Sequence, residues 1–256
     1  MRAENEERNE ERNESILEGR NAIREAFRAG QTVERLYVQD GLRDGPVTDL
    51  VARARRADVP VDFVQKQRLD QMSQTGRHQG VIAQIAAYQY AQVEDILEKA
   101  RQKGEDPFIF LLDEIVDPHN LGAIIRTANL CGAHGVIIPK RRAVGLTAVA
   151  AKASAGTVSY TPVARVNNLA QTIEELKKQG IWFVCADMDG EVMYNLNLTG
   201  PIGLVIGAEG KGVGRLVREK CDFTASIPMK GDIDSLNASV AAGVLAYEIV
   251  RQKVQN

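Results

Sequence analysis

The chain has 256 residues, is 44% hydrophobic and only 5% aromatic, and carries a formal net charge of −2. That length and apolar content suffice to bury a core in one large or two modest domains, and the near-neutral charge argues against a protein that coats nucleic acid indiscriminately. No apolar run approaches the roughly 18 residues of a membrane span, and the charged N-terminus lacks the apolar stretch of a signal peptide, so the expected location is the cytoplasm.

In chain order, residues 1–14 (MRAENEERNEERNE) hold six glutamates and three arginines. With no apolar face, they form a low-complexity acidic tail that is expected to be disordered. Residues 15–90 then alternate. ILEGRNAIREAF reads as an amphipathic helix, VERLYVQ as a strand, and PVTDLVARARRADV as a helix opened by proline. VDFVQ follows as a strand, RLDQMS as a short helix and GVIAQIAAY as a strand. Residues 91–107 read as a helix running into a Gly-containing, Pro-stopped linker, which marks a domain junction.

Residues 108–256 alternate more regularly. FIFLLDEI, GVIIPK, IWFVCAD, GPIGLVIGAE and FTASIPM are short apolar strands. Between them lie the helical patterns NLGAIIRTANLCGA, TAVAAKAS, NNLAQTIEELKKQG and RLVREKC, and a small-residue helix, NASVAAGVLAYEIV, closes the series. Unbroken apolar strands between helices imply an open parallel sheet covered on both faces, an α/β fold whose ligands lie beyond the carboxyl ends of the strands. Cys131, Cys185 and Cys221 are odd in number, far apart and in apolar contexts, so they are expected as reduced core residues.

Three polar clusters fall at strand ends. The first runs from Asp113 to Asn129, where Asp117-Pro118 turns the chain, Asn120 sits near the helix start and Arg126 is flanked by Ile124, Ile125 and Ala128. An isolated asparagine and arginine would be a cap and a solvated cation, but an arginine in an apolar helix suits an anionic partner. The second is IGAEGKGVGRL, in which glycines 207, 210, 212 and 214 frame Glu209 and Lys211. It has neither P-loop nor dinucleotide spacing, so by itself it is a loop that lets a ligand approach the backbone closely. In the third, Ser235, Asn237 and Ser239 open the last helix, where one cap would suffice. A single site accounts for all three clusters more economically than three accidents do.

These residues resemble a known family. N-x-G-x-x-x-R-T-A (Asn120 to Ala128), I-G-x-E-G-x-G (Ile206 to Gly212) and I-P-M-x-G-x-x-x-S-L-N-x-S-V-A (Ile227 to Ala241) look like the three motifs of the SpoU/TrmH branch of the SPOUT methyltransferases. LEGRNAIREAF and RHQGVIAQIA resemble the L30e-like substrate-binding domain of the type that modifies a guanosine of 23S rRNA. The resemblance implies a C-terminal open parallel sheet with a deep trefoil knot, S-adenosylmethionine as cofactor without metal, and a homodimer formed by the C-terminal domain. It implies that the backbone around Gly207, Ala208, Ile227, Leu236, Asn237 and Ala238 holds the cofactor. Arg126 would lie beside the reactive ribose hydroxyl, with Asn120, Glu209, Ser235 and Asn237 shaping the pocket, and the small residues of NASVAAGVLA would let the knot pack.

Methyl transfer from a sulfonium to an alcohol is an in-line displacement that needs alignment and removal of the hydroxyl proton. A guanidinium is almost never deprotonated, so Arg126 is expected either as a base in a specially perturbed site or as a cation that binds phosphate and stabilises a developing alkoxide. RNA contacts are expected from a basic stripe of Arg20, Arg24 and Arg28, joined by His78 and Arg126, with 53–56 and 140–142 as further basic clusters. The sparse aromatics favour reading of RNA shape and phosphates over stacking. Alternatives within reach of the same residues are a tRNA ribose, an rRNA adenosine of the thiopeptide-resistance type, and a catalytically silent RNA-binding module.

Overall fold

The computed structural model describes residues 16–86, 88–232 and 235–255. The acidic tail of residues 1–14 therefore lies outside the described residues. The chain divides into two units: one runs to Gln89 and includes 145–149, and the other comprises 90–144 and 150–256.

The first unit is a four-stranded sheet in the order β1-β4-β2-β3, where β1 is Ile16–Glu18, β2 Val33–Gln39, β3 Val61–Val64 and β4 Val81–Ile85. Strands β2 and β3 are parallel, while β4 runs antiparallel to both β2 and β1. Helices α1 (Arg20–Arg28), α2 (Gly45–Arg56) and α3 (Lys66–Met72) accompany it. Ile23, Leu36, Val38, Leu50 and Val81 form the core. The opening pattern differs from the helix expected from ILEGRNAIREAF, because Ile16–Glu18 pairs with β4 as a strand. Gly19, at φ +84° and ψ +150°, takes a positive-φ conformation open to glycine where the chain switches from strand to helix.

The second unit holds a six-stranded parallel sheet in the order β10-β8-β9-β5-β6-β7. Its strands are β5 (Phe108–Leu112), β6 (Gly135–Pro139), β7 (Val163–Val166), β8 (Trp182–Val192), β9 (Ile202–Ile206) and β10 (Phe223–Ser226). Both β5 and β9 are buried at every residue, as expected of interior parallel strands. The helices are α4 (Val93–Lys103), α5 (Pro118–Leu130), α6 (Ala148–Ala153, whose first two residues fall in the first unit), α7 (Leu169–Lys177), α8 (Arg215–Arg218) and α9 (Ala238–Gln255). The segment 91–107, read from sequence as a junction, belongs to this unit. Its helix α4 buries Ile96 and Leu97 in the same core as Ile109, Leu111 and Phe183, and apolar burial holds it there more strongly than its charged outer face suggests.

The strand order fixes where a site can form. The chain adds β6 and β7 on one side of β5, then returns to build β8, β9 and β10 on the other. The direction reverses between β5 and β9, and crevices open at the carboxyl ends of strands at such a switch point. The last helix, α9, packs against α5 and β9.

Candidate active site

Each of the three polar clusters leaves a carboxyl end of this sheet. After β5, the carboxylate of Asp117 accepts the backbone N–H of His119 at 3.1 Å, Pro118 occupies the first helical turn, and α5 begins. This places Asn120 in the first turn of α5, 7% exposed. After β9, residues 208–212 fold back on themselves, with Ala208 N donating to Gly212 O at 3.1 Å and Gly212 N to Ala208 O at 2.8 Å. Gly210 and Gly212 take φ of +74° and +66°, which makes this tight reversal possible. After β10, the chain reaches Asn237, which caps α9. Its Oδ1 accepts the N–H of Ser239 at 2.9 Å, the Ser239 hydroxyl at 2.6 Å and the N–H of Val240 at 3.4 Å.

The three clusters meet through side chains. Asn120 Nδ2 donates to Glu209 Oε1 at 3.0 Å, and Asn237 Nδ2 donates both to Asn120 Oδ1 at 3.0 Å and to Glu209 Oε1. The backbone N–H of Ala238 adds a longer bond to the same carboxylate oxygen at 3.5 Å. Residues separated by 89 and 117 positions are thus joined in one ring of hydrogen bonds. Asn237 does two jobs: its oxygen caps the helix and its amide nitrogen reaches the other two clusters.

Arg126 and Ser235 do not join that ring. Arg126 is exposed on α5 and Ser235 is exposed before α9; neither side chain has a hydrogen-bond or ion-pair partner among the described residues. Six residues beyond Asn120, Arg126 is rotated roughly 120° away from it around the helix. Gly207 is buried against its own loop, because a Cβ there would collide with the backbone of Gly212 and Val213. Ala208 is half-buried, Ile227 half-buried and Ala238 buried, whereas Leu236 is exposed.

Sequence reasoning did not single out Asp113. It follows β5 directly, its N–H donates to Ile206 O at 2.8 Å, and its carboxylate Oδ2 accepts the N–H of Gly214 at 2.8 Å. Burial, with a contribution from neighbouring Glu114, pushes its carboxyl above the usual range against the effect of the Gly214 bond. The aspartate is visible in the sequence, but nothing local reveals a partner 101 residues away.

Residues 107–247 match the family model for SpoU rRNA methylases, and residues 16–91 match that for the RNA 2′-O ribose methyltransferase substrate-binding domain. The chain belongs to the SpoU family. It is an RNA methyltransferase of the SpoU and TrmH type. A Bacillus subtilis protein, YacO, provisionally designated a TrmH family tRNA/rRNA methyltransferase, is 49% identical over 92% of this chain and 94% of its own length. A Staphylococcus haemolyticus protein with the same provisional designation is 43% identical over 94% of this chain and 96% of its own. Among solved structures, the SpoU methyltransferase AviRb from Streptomyces viridochromogenes, in complex with the cofactor AdoMet, superposes with TM-score 0.60. It is 26% identical, and the match covers 94% of this chain and 91% of that one. The TrmH/SpoU tRNA modifying enzyme of A. aeolicus gives 0.54 at 28% identity, over 63% of this chain and 80% of that one.

The SpoU chain distributes its expected RNA contacts unevenly. Arg20 ion-pairs with Asp44 at 2.7 Å and its Nε donates to Gln79 O at 3.2 Å, so it fastens α1 to two loops of its own unit. His78 is 5% exposed, with Nδ1 accepting the Gly80 N–H at 3.0 Å and Nε2 at 2.9 Å from Asp70. That bonding makes it a loop support. Arg28 pairs with Glu25 at 2.7 Å. Arg24 is half-buried, with one long bond of 3.5 Å to Asn21.

The loops also suit the cofactor expected from the sequence. A Cβ at Gly210 or Gly212 would meet nothing within 4 Å, which leaves the outer face of the β9 loop open. Exposed Met229 and Leu236 supply apolar surface on the segment between β10 and α9. Glycine-framed backbone beside apolar side chains matches an adenosine with a polar tail.

Proposed function

We propose that this chain transfers a methyl group from S-adenosylmethionine to a ribose 2′-hydroxyl of RNA, most specifically of a guanosine in 23S rRNA. Bound S-adenosylmethionine supplies an electrophilic methyl group. The observation that carries the reading is the ring of Asn120, Glu209 and Asn237 at the switch point of the sheet. The chain's own residues then divide the work. Backbone around Gly207, Ala208, Ile227, Leu236 and Ala238 holds the cofactor, and the ring keeps the loops that carry it in one arrangement. Arg126, a cation without an internal partner among the described residues, meets the RNA beside the reacting hydroxyl and stabilises charge that develops on its oxygen.

The trefoil knot belongs to the same proposal. The strand order supports it: from the edge strand β10 the chain must cross back to place α9 against β9 and α5. An L30e-like reading of the first unit is supported by its mixed sheet and by its match to the substrate-binding domain model. The homodimer is supported by a stripe on α9 at seven-residue spacing, where Val240, Tyr247 and Val254 are 49%, 52% and 80% exposed. A self-complementary pairing of that face would cover it.

The test is a map of ribose 2′-O-methylation on 23S rRNA and tRNA from cells with and without the gene. Loss of one 23S guanosine methylation is expected. Loss confined to tRNA, or to an rRNA adenosine, would replace the substrate, and an unchanged map would favour a silent RNA-binding module.

A further inference from the structure

The loop that carries Glu209 leaves β9 at Gly207 and enters α8 at Gly214. Its first end is fixed by close packing of Gly207 on Gly212 and by the two backbone bonds between Ala208 and Gly212. The far end has a different kind of anchor. Asp113, 8% exposed at the carboxyl end of the neighbouring strand β5, accepts the Gly214 N–H at 2.8 Å. The fit there is close, since a Cβ on Gly214 would stand 3.0 Å from the same Asp113 oxygen. The two strands are adjacent at the point where the order of the sheet reverses, so this bond spans the crevice floor.

We infer that Asp113 is a positioning residue: by holding Gly214 it sets the loop 207–214, and through the loop the place from which Glu209 reaches Asn120 and Asn237 and from which the backbone holds the cofactor. A buried carboxylate without an ion-pair partner among the described residues is costly to keep. Its retention is accounted for by the bond it makes. Such an anchor would be filled nearly as well by a neutral oxygen acceptor of the same shape, because geometry and not charge is what the loop needs. The inference rests on the reading of 207–214 as the cofactor loop.

The experiment compares Asp113→Ala, Asp113→Asn and Val217→Ala in the full chain. S-adenosylmethionine affinity is read by calorimetry, and exchange of the Gly214 amide is read without cofactor. Val217 lies in α8 with its side chain in the core, 8% exposed; Val217→Ala truncates that side chain, keeps the backbone bond from Val217 N–H to Gly214 O at 3.0 Å and leaves the Asp113 carboxylate in place, and so controls for general destabilisation. Asp113→Ala is expected to weaken S-adenosylmethionine binding about tenfold or more and to accelerate Gly214 exchange, whereas Asp113→Asn stays within about threefold on both readouts and Val217→Ala within about twofold. On a Glu209→Ala background, Asp113→Ala should cost little further, because residues acting through one another are not additive. Full additivity, equal loss in Asp113→Asn and Asp113→Ala, or unchanged Gly214 exchange would overturn the assignment. The parent reading fails separately: if Glu209→Ala binds S-adenosylmethionine as the wild type does, the loop is not the cofactor's, while the Gly214 exchange rate still decides whether Asp113 sets the loop.

Discussion

Asn237 and Glu209, 28 residues apart and on segments that leave different strands, are joined by a hydrogen bond from the asparagine Nδ2 to the glutamate Oε1. That oxygen also receives Asn120 Nδ2 at 3.0 Å. One carboxylate oxygen therefore collects two side-chain amides; removing it takes that acceptor from Asn120 Nδ2 and leaves Asn237 Nδ2 with Asn120 Oδ1. Glu209→Ala is expected to lower stability by about 1 kcal/mol, toward the small end for charged acceptors because Glu209 stays in contact with water. Glu209→Gln keeps an oxygen in place and should lose less than half of that. Urea unfolding of the three proteins provides the comparison, and equal losses would show that charge, not an acceptor, holds the ring.

Arg126 separates chemistry from folding. Having no partner among the described residues, Arg126→Ala should leave stability within about 0.5 kcal/mol. The same change should cut the methylation rate by on the order of a hundredfold with S-adenosylmethionine affinity nearly unchanged, as for an interaction made in the transition state. Substantial rescue by Arg126→Lys would identify a simple electrostatic role, and no rescue would identify base or bidentate geometry. Full activity of the alanine variant would move the catalytic centre elsewhere.

Gly207 is constrained by the protein before any ligand arrives. Since a Cβ would strike the backbone of Gly212 and Val213, Gly207→Val should both abolish S-adenosylmethionine binding and lower the melting temperature. Gly210, at φ +74° with open space around it, offers the contrast. Gly210→Asn should cost less, because asparagine tolerates the left-handed region. Differential scanning calorimetry ranks the two, and equal melting temperatures for Gly207→Val and wild type would contradict the packing argument.

His134 gives a pH dependence. It is 1% exposed; its Nδ1 accepts the Phe108 N–H at 3.0 Å, and Nε2 lies 3.1 Å from Glu105. Burial lowers its pKa below the ordinary 6.5, and Glu105 opposes the shift. The folded state therefore holds the neutral ring and the unfolded state takes up the proton first. Stability is full above about pH 6.5 and is lost as pH falls from there through the lower folded value. Urea midpoints between pH 7.5 and 5 should fall in the wild type and fall less in His134→Gln. Identical slopes would assign the effect to other groups.

Tyr247, 52% exposed in the middle of the α9 stripe, tests the proposed dimer. Tyr247→Glu places a charge at the centre of the face and should shift sedimentation from dimer to monomer at micromolar concentration. A wild-type monomer at that concentration would remove the dimer from the proposal.

Local chemistry made much of this fold legible. The apolar runs FIFLL and IGLVI become buried parallel strands, because a strand covered on both faces has no polar positions to offer. Asp44 before Gly45-Pro46 starts α2, with its side chain accepting the Val47 N–H at 3.0 Å. Asn120, Glu209 and Asn237 were legible as site residues because three glycine-rich or polar strand ends stood out against an apolar sheet. The tertiary structure decided matters of partnership. Arg20, Arg24 and Arg28 share one spacing, yet Asp44, Gln79 and Glu25 occupy two of them, and no periodicity shows which. His78 is expected from sequence among the RNA contacts and is instead a buried support. Asp113 reads as a strand-end aspartate, and Gly214 becomes its neighbour once β5 and β9 pair. Sequence spacing sets which face of an element a residue takes, through backbone periodicity; which distant group comes to meet it depends on the order of strands in the sheet, and that order follows from the packing of the whole unit.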